Sequence, residues 1–146
     1  MRGISVAAAA LLTACTAATP AGAQAAGDYT GTWAFQTEPY GNEQFGVVMS
    51  GVAIMRSAGA NRYTLQVVTN ELIIERQTSQ SRLLTARQNC TGAKDDAQFT
   101  VTCAMAEPLE GYEPDNFVLQ AGANADQLVG ALSSATSSTV TFTRVR

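Results

Sequence analysis

The chain contains no histidine, and only 14% of its residues are charged, well below the ~25% of a typical soluble domain. Without histidine, Ser-His-Asp and Cys-His catalysis and histidine-based metal sites are excluded. The sequence also lacks a G-x-S-x-G elbow, a phosphate-binding glycine loop and a dinucleotide-binding fingerprint. Its single lysine, Lys94, falls in a predicted polar turn, where it would be solvated. We therefore expect no catalytic residues, no metal and no cofactor.

Basic charge and long apolar runs are scarce as well. The formal net charge is −3, and no basic patch is present, so nucleic acid is not expected as a partner. After residue 26 no apolar run is long enough to span a bilayer. Thr, Ser, Gly, Gln and Asn take the place of charged residues, a composition typical of strands with a polar outer face.

Residues 1–25 have the three parts of a secretory signal peptide. Met1-Arg2 is a short positive segment, residues 4–12 are apolar and alanine-rich, and Pro20 precedes small residues. Cleavage after Ala23 or Ala25 fits the A-x-A rule. This predicts export to the periplasm or the medium, with one mature domain over residues 27–146.

A lipoprotein signal is the alternative for the same segment. Leu12-Thr13-Ala14-Cys15 resembles the bacterial lipobox, in which Cys15 would carry the lipid. The protein would then be an outer-membrane lipoprotein anchored at Cys15.

The two remaining cysteines, Cys90 and Cys103, agree with export, because an even number in an oxidising compartment indicates a disulfide. They flank a polar segment, Lys94-Asp95-Asp96, between two strand-like runs. A bond across this hairpin would close a loop of about 14 residues, which contributes roughly 3 kcal/mol. A metal site is the weaker alternative, since two thiols without histidine rarely suffice.

Apolar residues after residue 27 alternate with polar ones, with a period of two that predicts strands. The runs are 29–35, 45–55, 63–67, 72–74, 82–90, 99–103, 117–119, 128–132 and 140–142. Turn-forming segments separate them, at 38–42, 57–61, 78–81, 92–95, 122–124 and 133–136. We predict an all-β antiparallel up-and-down meander of 8–9 strands closed into a barrel, because closure hides both sheet edges. A two-sheet β-sandwich is the alternative.

The two ends of the chain resemble the calycins, the lipocalin and avidin group. Gly31-Thr32-Trp33 is similar to their G-x-W signature, and Arg144 is two residues after Phe142 on the last predicted strand. The resemblance implies a calycin-like barrel in which Arg144 packs across Trp33 at the closed end. The T-D-Y-type motif of lipocalins proper is absent.

Two further resemblances concern small exported proteins. The size and layout are similar to those of periplasmic inhibitors of bacterial metalloproteases, which are calycin-like barrels with one disulfide. The segments 112–117 and 140–144 also resemble uncharacterised exported proteins of Alphaproteobacteria, which implies no particular activity.

A ligand cavity inside the barrel would be lined by the large residues that face inward. The candidates are Trp33, Phe35, Phe45, Met49, Tyr63, Phe99, Phe117 and Phe142. Eight-stranded barrels either pack solid or hold one small ligand. A filled interior would move the site to the rim loops 105–116 and 37–43.

Two sets of acidic residues are the remaining candidate sites. Glu107, Glu110, Glu113 and Asp115 are expected to form a solvated acidic loop, with a Ca²⁺ site or a carboxylate pair as the alternative. Residues 71 and 75, both glutamates, are expected on a charged outer face, where arginines could pair with them.

The sequence therefore predicts a non-enzymatic exported envelope protein that binds a small apolar ligand or another envelope protein. A periplasmic protease inhibitor of calycin type, acting at the open end of the barrel, is one alternative. A structural lipoprotein domain is the other.

Overall fold

The computed structural model describes residues 27–146. The predicted signal peptide, with the cleavage sites and the lipidation candidate Cys15, lies outside the described residues. The described part is all-β and contains no helix that could cross a bilayer.

Within residues 27–146, nine strands follow one another as an antiparallel meander, which confirms the predicted fold class. They are β1 (Gly31–Thr37), β2 (Tyr40–Gly41), β3 (Phe45–Gly59), β4 (Arg62–Glu75), β5 (Ser81–Asp95), β6 (Gln98–Met105), β7 (Asn116–Ala121), β8 (Gln127–Ser133) and β9 (Ser137–Arg144). The sheet closes because β1 pairs with β9 on one side and with β3 on the other. The result is one eight-stranded barrel, with β2 as a short extra strand on β3, and not a two-sheet sandwich.

The alternation of the sequence sets which side chains fill the barrel. In β4, every second residue from Tyr63 to Thr69 is buried and the residues between them are exposed. β9 shows the same pattern, with Val140 and Phe142 buried. Buried apolar side chains from β1 and from β3 to β9 form one core cluster.

The predicted disulfide is present, and it joins Cys90 on β5 to Cys103 on β6. The two residues are direct partners in the register of these strands and both are buried.

Three predicted boundaries are wrong. Residues 92–95 are not a turn, because β5 continues to Asp95 and the hairpin turns at residues 96–97. Gly92 is buried in this strand, and a Cβ there would lie 2.6 Å from the ring of Phe99, so the glycine makes room for that ring. The run 72–74 is the end of β4 and not a separate strand. Within the predicted turn 38–42, residues 40–41 form β2.

Candidate functional site

The two ends of the barrel differ in how they are closed. At one end Arg144 packs over Trp33, with its guanidinium carbon 4.3 Å from the centroid of the indole ring. Its Nη2 donates to the backbone carbonyl of Asp28 at 2.7 Å, and its Nη1 donates to that of Thr30. The chain entering β1 therefore lies across this end and is held there by the last strand.

Gly31 belongs to the same closed end. Its φ of +130° favours glycine, and a Cβ there would lie 3.0 Å from Nη1 of Arg144. The G-x-W glycine thus leaves space for the arginine that covers the tryptophan.

At the opposite end, three strands are longer than their neighbours. The pairing of β1 with β3 ends at Gln36–Ser50, and that of β5 with β6 ends at Gln88–Met105. Beyond these pairs, residues 45–48, 71–75 and 81–86 continue as a three-stranded extension. We call this extension the flap.

A cleft of ≈ 320 Å³ lies between the inner face of the flap, β2 and the turn that joins β8 to β9. Its walls combine apolar and polar side chains. The lining residues are Tyr40, Gly41, Asn42, Phe45, Val47, Glu71, Ile73, Arg82, Ala135 and Thr136. The cleft is therefore formed by β2, β3, β4, β5 and the β8–β9 turn together.

A buried polar cluster lies at the same end, inside the barrel mouth. Asp115, at the end of the long loop before β7, is fully buried. Its Oδ2 accepts hydrogen bonds from Gln88 Nε2 at 2.6 Å, Tyr112 OH at 2.8 Å and Thr69 Oγ1 at 3.1 Å. The backbone N–H of Asp115 donates to Gln88 Oε1 at 2.8 Å. The carboxyl group thus fastens the loop to β4 and β5.

The other carboxyl oxygen of Asp115, Oδ1, is buried without a hydrogen-bond partner among the described residues. Burial raises the pKa of Asp115, although hydrogen bonds from Tyr112, Gln88 and Thr69 oppose the rise. Burial also raises the pKa of Tyr112, and the nearby Asp115 charge raises it further. The protein tolerates this buried acid at a cost to stability.

Glu71 connects the buried cluster to the cleft. It is partly buried on the inner face of β4, and Tyr40 OH donates to its Oε1 at 3.2 Å. Burial raises the pKa of Glu71, Asp115 adds to the rise, and the Tyr40 hydrogen bond and Arg82 oppose it. The pKa of Tyr40 is raised by burial and then by Glu71, so this phenol stays neutral at physiological pH.

Seven of the eight predicted cavity residues are buried in the barrel, where they pack against one another. Phe35, Phe117 and Phe142 form one aromatic group, with ring centroids 4.8–5.6 Å apart. A second group surrounds Phe99 towards the closed end, with Tyr29 at 4.9 Å and Tyr63 at 5.3 Å. Trp33 and Met49 are also buried. A ligand could enter this interior only by displacing these rings.

Phe45 is the exception, because it is 39% exposed and not inside the barrel. It has the inward phase of β3, but it lies on the flap, beyond the point where β1 and β3 pair. Its ring lines the cleft.

The expected solvated acidic loop needs a correction at one position. Glu107, Glu110 and Glu113 are exposed, whereas Asp115 is buried. The outer-face prediction for Glu71 and Glu75 is also wrong, since residues 71, 73 and 75 share the inner face of the flap. Among residues 27–146 no three His, Cys, Asp or Glu side chains converge as metal ligands.

Sequence reasoning missed Thr69, Gln88 and Asp115 as a cluster, although a signal existed. Thr69 is in phase with the buried residues of β4, Gln88 with those of β5, and Asp115 with Phe117 and Leu119. Three polar residues in inward phase at the same end of a barrel indicate a polar core site. The rim loops 37–43 and 105–116 contribute Tyr40, Tyr112 and Asp115 to this region.

Comparison with known proteins supports the architecture alone. No protein-family model matches the chain, and no curated protein matches it significantly. Among solved structures it is similar to a de novo designed fluorescence-activating β-barrel, with 12% sequence identity and a TM-score of 0.58. The match covers 84% of this chain and 99% of the designed one. At this identity the likeness extends to the fold, a closed antiparallel β-barrel.

Proposed function

We propose that this protein is a non-enzymatic binder of a small amphipathic molecule, which it holds in the cleft under the flap. One observation carries the proposal. The barrel interior is filled by the protein's own aromatic rings, while the cleft at its open end combines an apolar wall with a polar base. Ligand sites typically show this combination of apolar lining and a few fixed polar groups.

The apolar wall is formed by Phe45, Val47 and Ile73. Val47 and Ile73 are direct partners across β3 and β4, so their side chains are neighbours on one face. Tyr40 and Glu71 supply the polar side of the cleft. A ligand with a hydrocarbon part and one polar group matches this division.

The absence of enzymatic activity is part of the proposal. The sequence has no histidine, and the buried Asp115 is engaged by three donors through one oxygen. Such a carboxyl group is suited to holding a loop in place and not to transferring protons at a substrate.

We also propose that the protein is exported as a calycin-type barrel. The features of residues 1–25 and the Cys90–Cys103 disulfide support export. The packing of Arg144 over Trp33 supports the calycin type. Cleavage after Ala23 or Ala25 would release a periplasmic protein, whereas lipidation at Cys15 would anchor it to a membrane.

Binding is tested with two substitutions at adjacent positions of β4. Ile73 lines the cleft, and Ile74 is 39% exposed on the outer face. We expect the neutral dye Nile red to bind the wild type, Ile73→Glu to weaken this binding about tenfold or more, and Ile74→Glu to leave it unchanged. Fluorescence titration measures the three dissociation constants.

Equal loss in both variants would place the dye on the outer surface and contradict the cleft. Absence of Nile red binding to the wild type would contradict the proposal as a whole. Thermal unfolding of each variant checks that the barrel has folded.

A further inference from the structure

The chemical character of the cleft wall changes from its base to its opening. Along the inner face of the flap, Glu71 is opposite Met49 at the barrel rim, Ile73 is opposite Val47 one step outward, and Glu75 is opposite Phe45 at the tip. Asp115 lies close enough to Glu71 to raise its pKa. In the cleft, the apolar side chains of Phe45, Val47 and Ile73 therefore lie further out than the Glu71 carboxylate at the base.

Within residues 27–146, no Lys or Arg side chain forms an ion pair with the Glu71 carboxylate at this base. Among residues 27–146, the ion pairs within 4.0 Å are those of Arg144 and Arg146 with Asp126, at the closed end. Glu71 receives a hydrogen bond from the neutral Tyr40 hydroxyl. Arg82 also lines the cleft, opposite Ile73 and one step further out, where it is exposed, and its charge opposes the rise in the pKa of Glu71.

A second carboxyl group lies close to Glu71. Asp115 is fully buried, and its Oδ1 has no hydrogen-bond partner in the described part of the chain. Tyr112 and Tyr40 face this acidic pair from the long loop and from β2, and both are phenols without charge at neutral pH. A positive group at the base of the cleft would therefore meet the Glu71 carboxylate and the neutral Tyr40 hydroxyl, while the buried Asp115 lies close to Glu71 but outside the cleft lining.

Extending the proposed function, we infer that the ligand is an organic cation, an apolar body that carries a protonated amine, with the amine at Glu71. The carboxylate would accept a charge-assisted hydrogen bond from the ammonium group. The rings of Tyr40 and Phe45 line the same cleft, and aromatic faces attract ammonium groups. Val47 and Ile73 would contact the hydrocarbon part.

The test compares three probes that share one hydrocarbon chain and differ in charge: octylamine, octanol and octanoate. Isothermal titration calorimetry at pH 7 gives their dissociation constants. We expect octylamine to bind the wild type about tenfold more tightly than octanol, because a charge-assisted hydrogen bond replaces a neutral one. Octanoate is expected to bind most weakly.

Glu71→Gln is the diagnostic variant. The amide oxygen can still accept the Tyr40 hydroxyl, so the cleft is retained while its charge is removed. We expect this variant to bind octylamine and octanol equally. Asp96→Asn removes the same charge from the exposed β5–β6 turn at the other end of the barrel, and it should preserve the preference for octylamine.

The outcomes separate this inference from the proposed function. If octanol binds as tightly as octylamine, or octanoate binds most tightly, the inference that the ligand is a cation is wrong. The proposed binding of a small molecule in the cleft then stands. If Glu71→Gln keeps the amine preference, the amine is not at Glu71 and the inference fails. If no probe binds and Nile red also fails to bind, both are overturned.

Discussion

Asp115 is an ionisable residue in a fully buried position, and its burial makes the stability of the protein depend on pH. An unfolded aspartate has a pKa of about 3.9, and burial raises the pKa of Asp115 in the folded protein. Between the two values the folded state binds more protons than the unfolded state. The free energy of unfolding therefore falls as pH rises through this interval. The stabilisation from a neutral Asp115 is complete at low pH and lost above the folded pKa.

Asp115→Asn should remove this dependence, because the amide stays neutral and keeps an oxygen to accept hydrogen bonds from Gln88 and Tyr112. We expect the wild type to lose stability relative to Asp115→Asn from about pH 4 upward, by roughly 1.4 kcal/mol per unit of pKa difference. Urea unfolding at a series of pH values measures the difference. A constant difference between pH 4 and pH 8 would contradict the raised pKa.

The inward direction of most of these side chains could be predicted from the sequence, but the contact between Asp115 and its partners could not. Aromatic residues such as Phe117 and Phe142 are placed inside by alternation alone, because the burial of large apolar side chains is the main driving force of folding. The same alternation puts Thr69 and Gln88 inside. Their partner Asp115 comes from a loop 27 residues after Gln88, and local pattern does not show that this loop returns to the barrel mouth.

Among the elements, the pairing of β1 with β9 closes the barrel, and Arg144 at this pairing offers a direct test of closure. Arg144 joins the indole of Trp33 to the backbone carbonyls of residues 28 and 30. Arg144→Gln should lower the free energy of unfolding by about 1–3 kcal/mol, because a cation–π contact and hydrogen bonds to a charged group are lost. Urea unfolding measures the loss, and near-UV circular dichroism of Trp33 reports the change around the indole.

Arg146→Gln is the matched control. This side chain is 83% exposed and pairs with Asp126 at the surface, so its removal should cost less than about 0.5 kcal/mol. Equal effects of the two substitutions would mean that Arg144 does not seal the barrel.

The strands were predictable as elements, but their lengths were not. Period-two alternation located every strand of the barrel, since each has one buried face. Prediction failed where a local signal opposed tertiary packing. Gly92 and the polar residues after it indicate a turn, yet the ring of Phe99 occupies the space above Gly92 and β5 continues. The polar residues Thr69 and Glu71 interrupt the apolar alternation, so the pattern predicts two runs, 63–67 and 72–74, where the structure has the single strand β4.

At the scale of the whole molecule, closure decides where a ligand can bind. Composition and edge protection favoured a barrel, but no local pattern shows that β1 pairs with both β3 and β9. Once the barrel is closed, aromatic side chains of non-adjacent strands meet inside it, as Phe35 of β1 does with Phe117 of β7. The cleft then lies where β3, β4 and β5 extend beyond their neighbours, and for this reason we propose the ligand site at the flap.

Phe117→Ala distinguishes a filled barrel from a hollow one. The ring is 1% exposed and packs against Phe35 and Phe142 at centroid distances of 5.6 and 5.3 Å. In a filled barrel the truncation leaves a cavity and lowers the free energy of unfolding by about 3–5 kcal/mol, measured by urea unfolding. Val118→Ala, on the outer face of the same strand and 43% exposed, should cost below about 1 kcal/mol. Similar small costs for both would indicate that the ring borders an empty space, and the site would move from the cleft to the barrel interior.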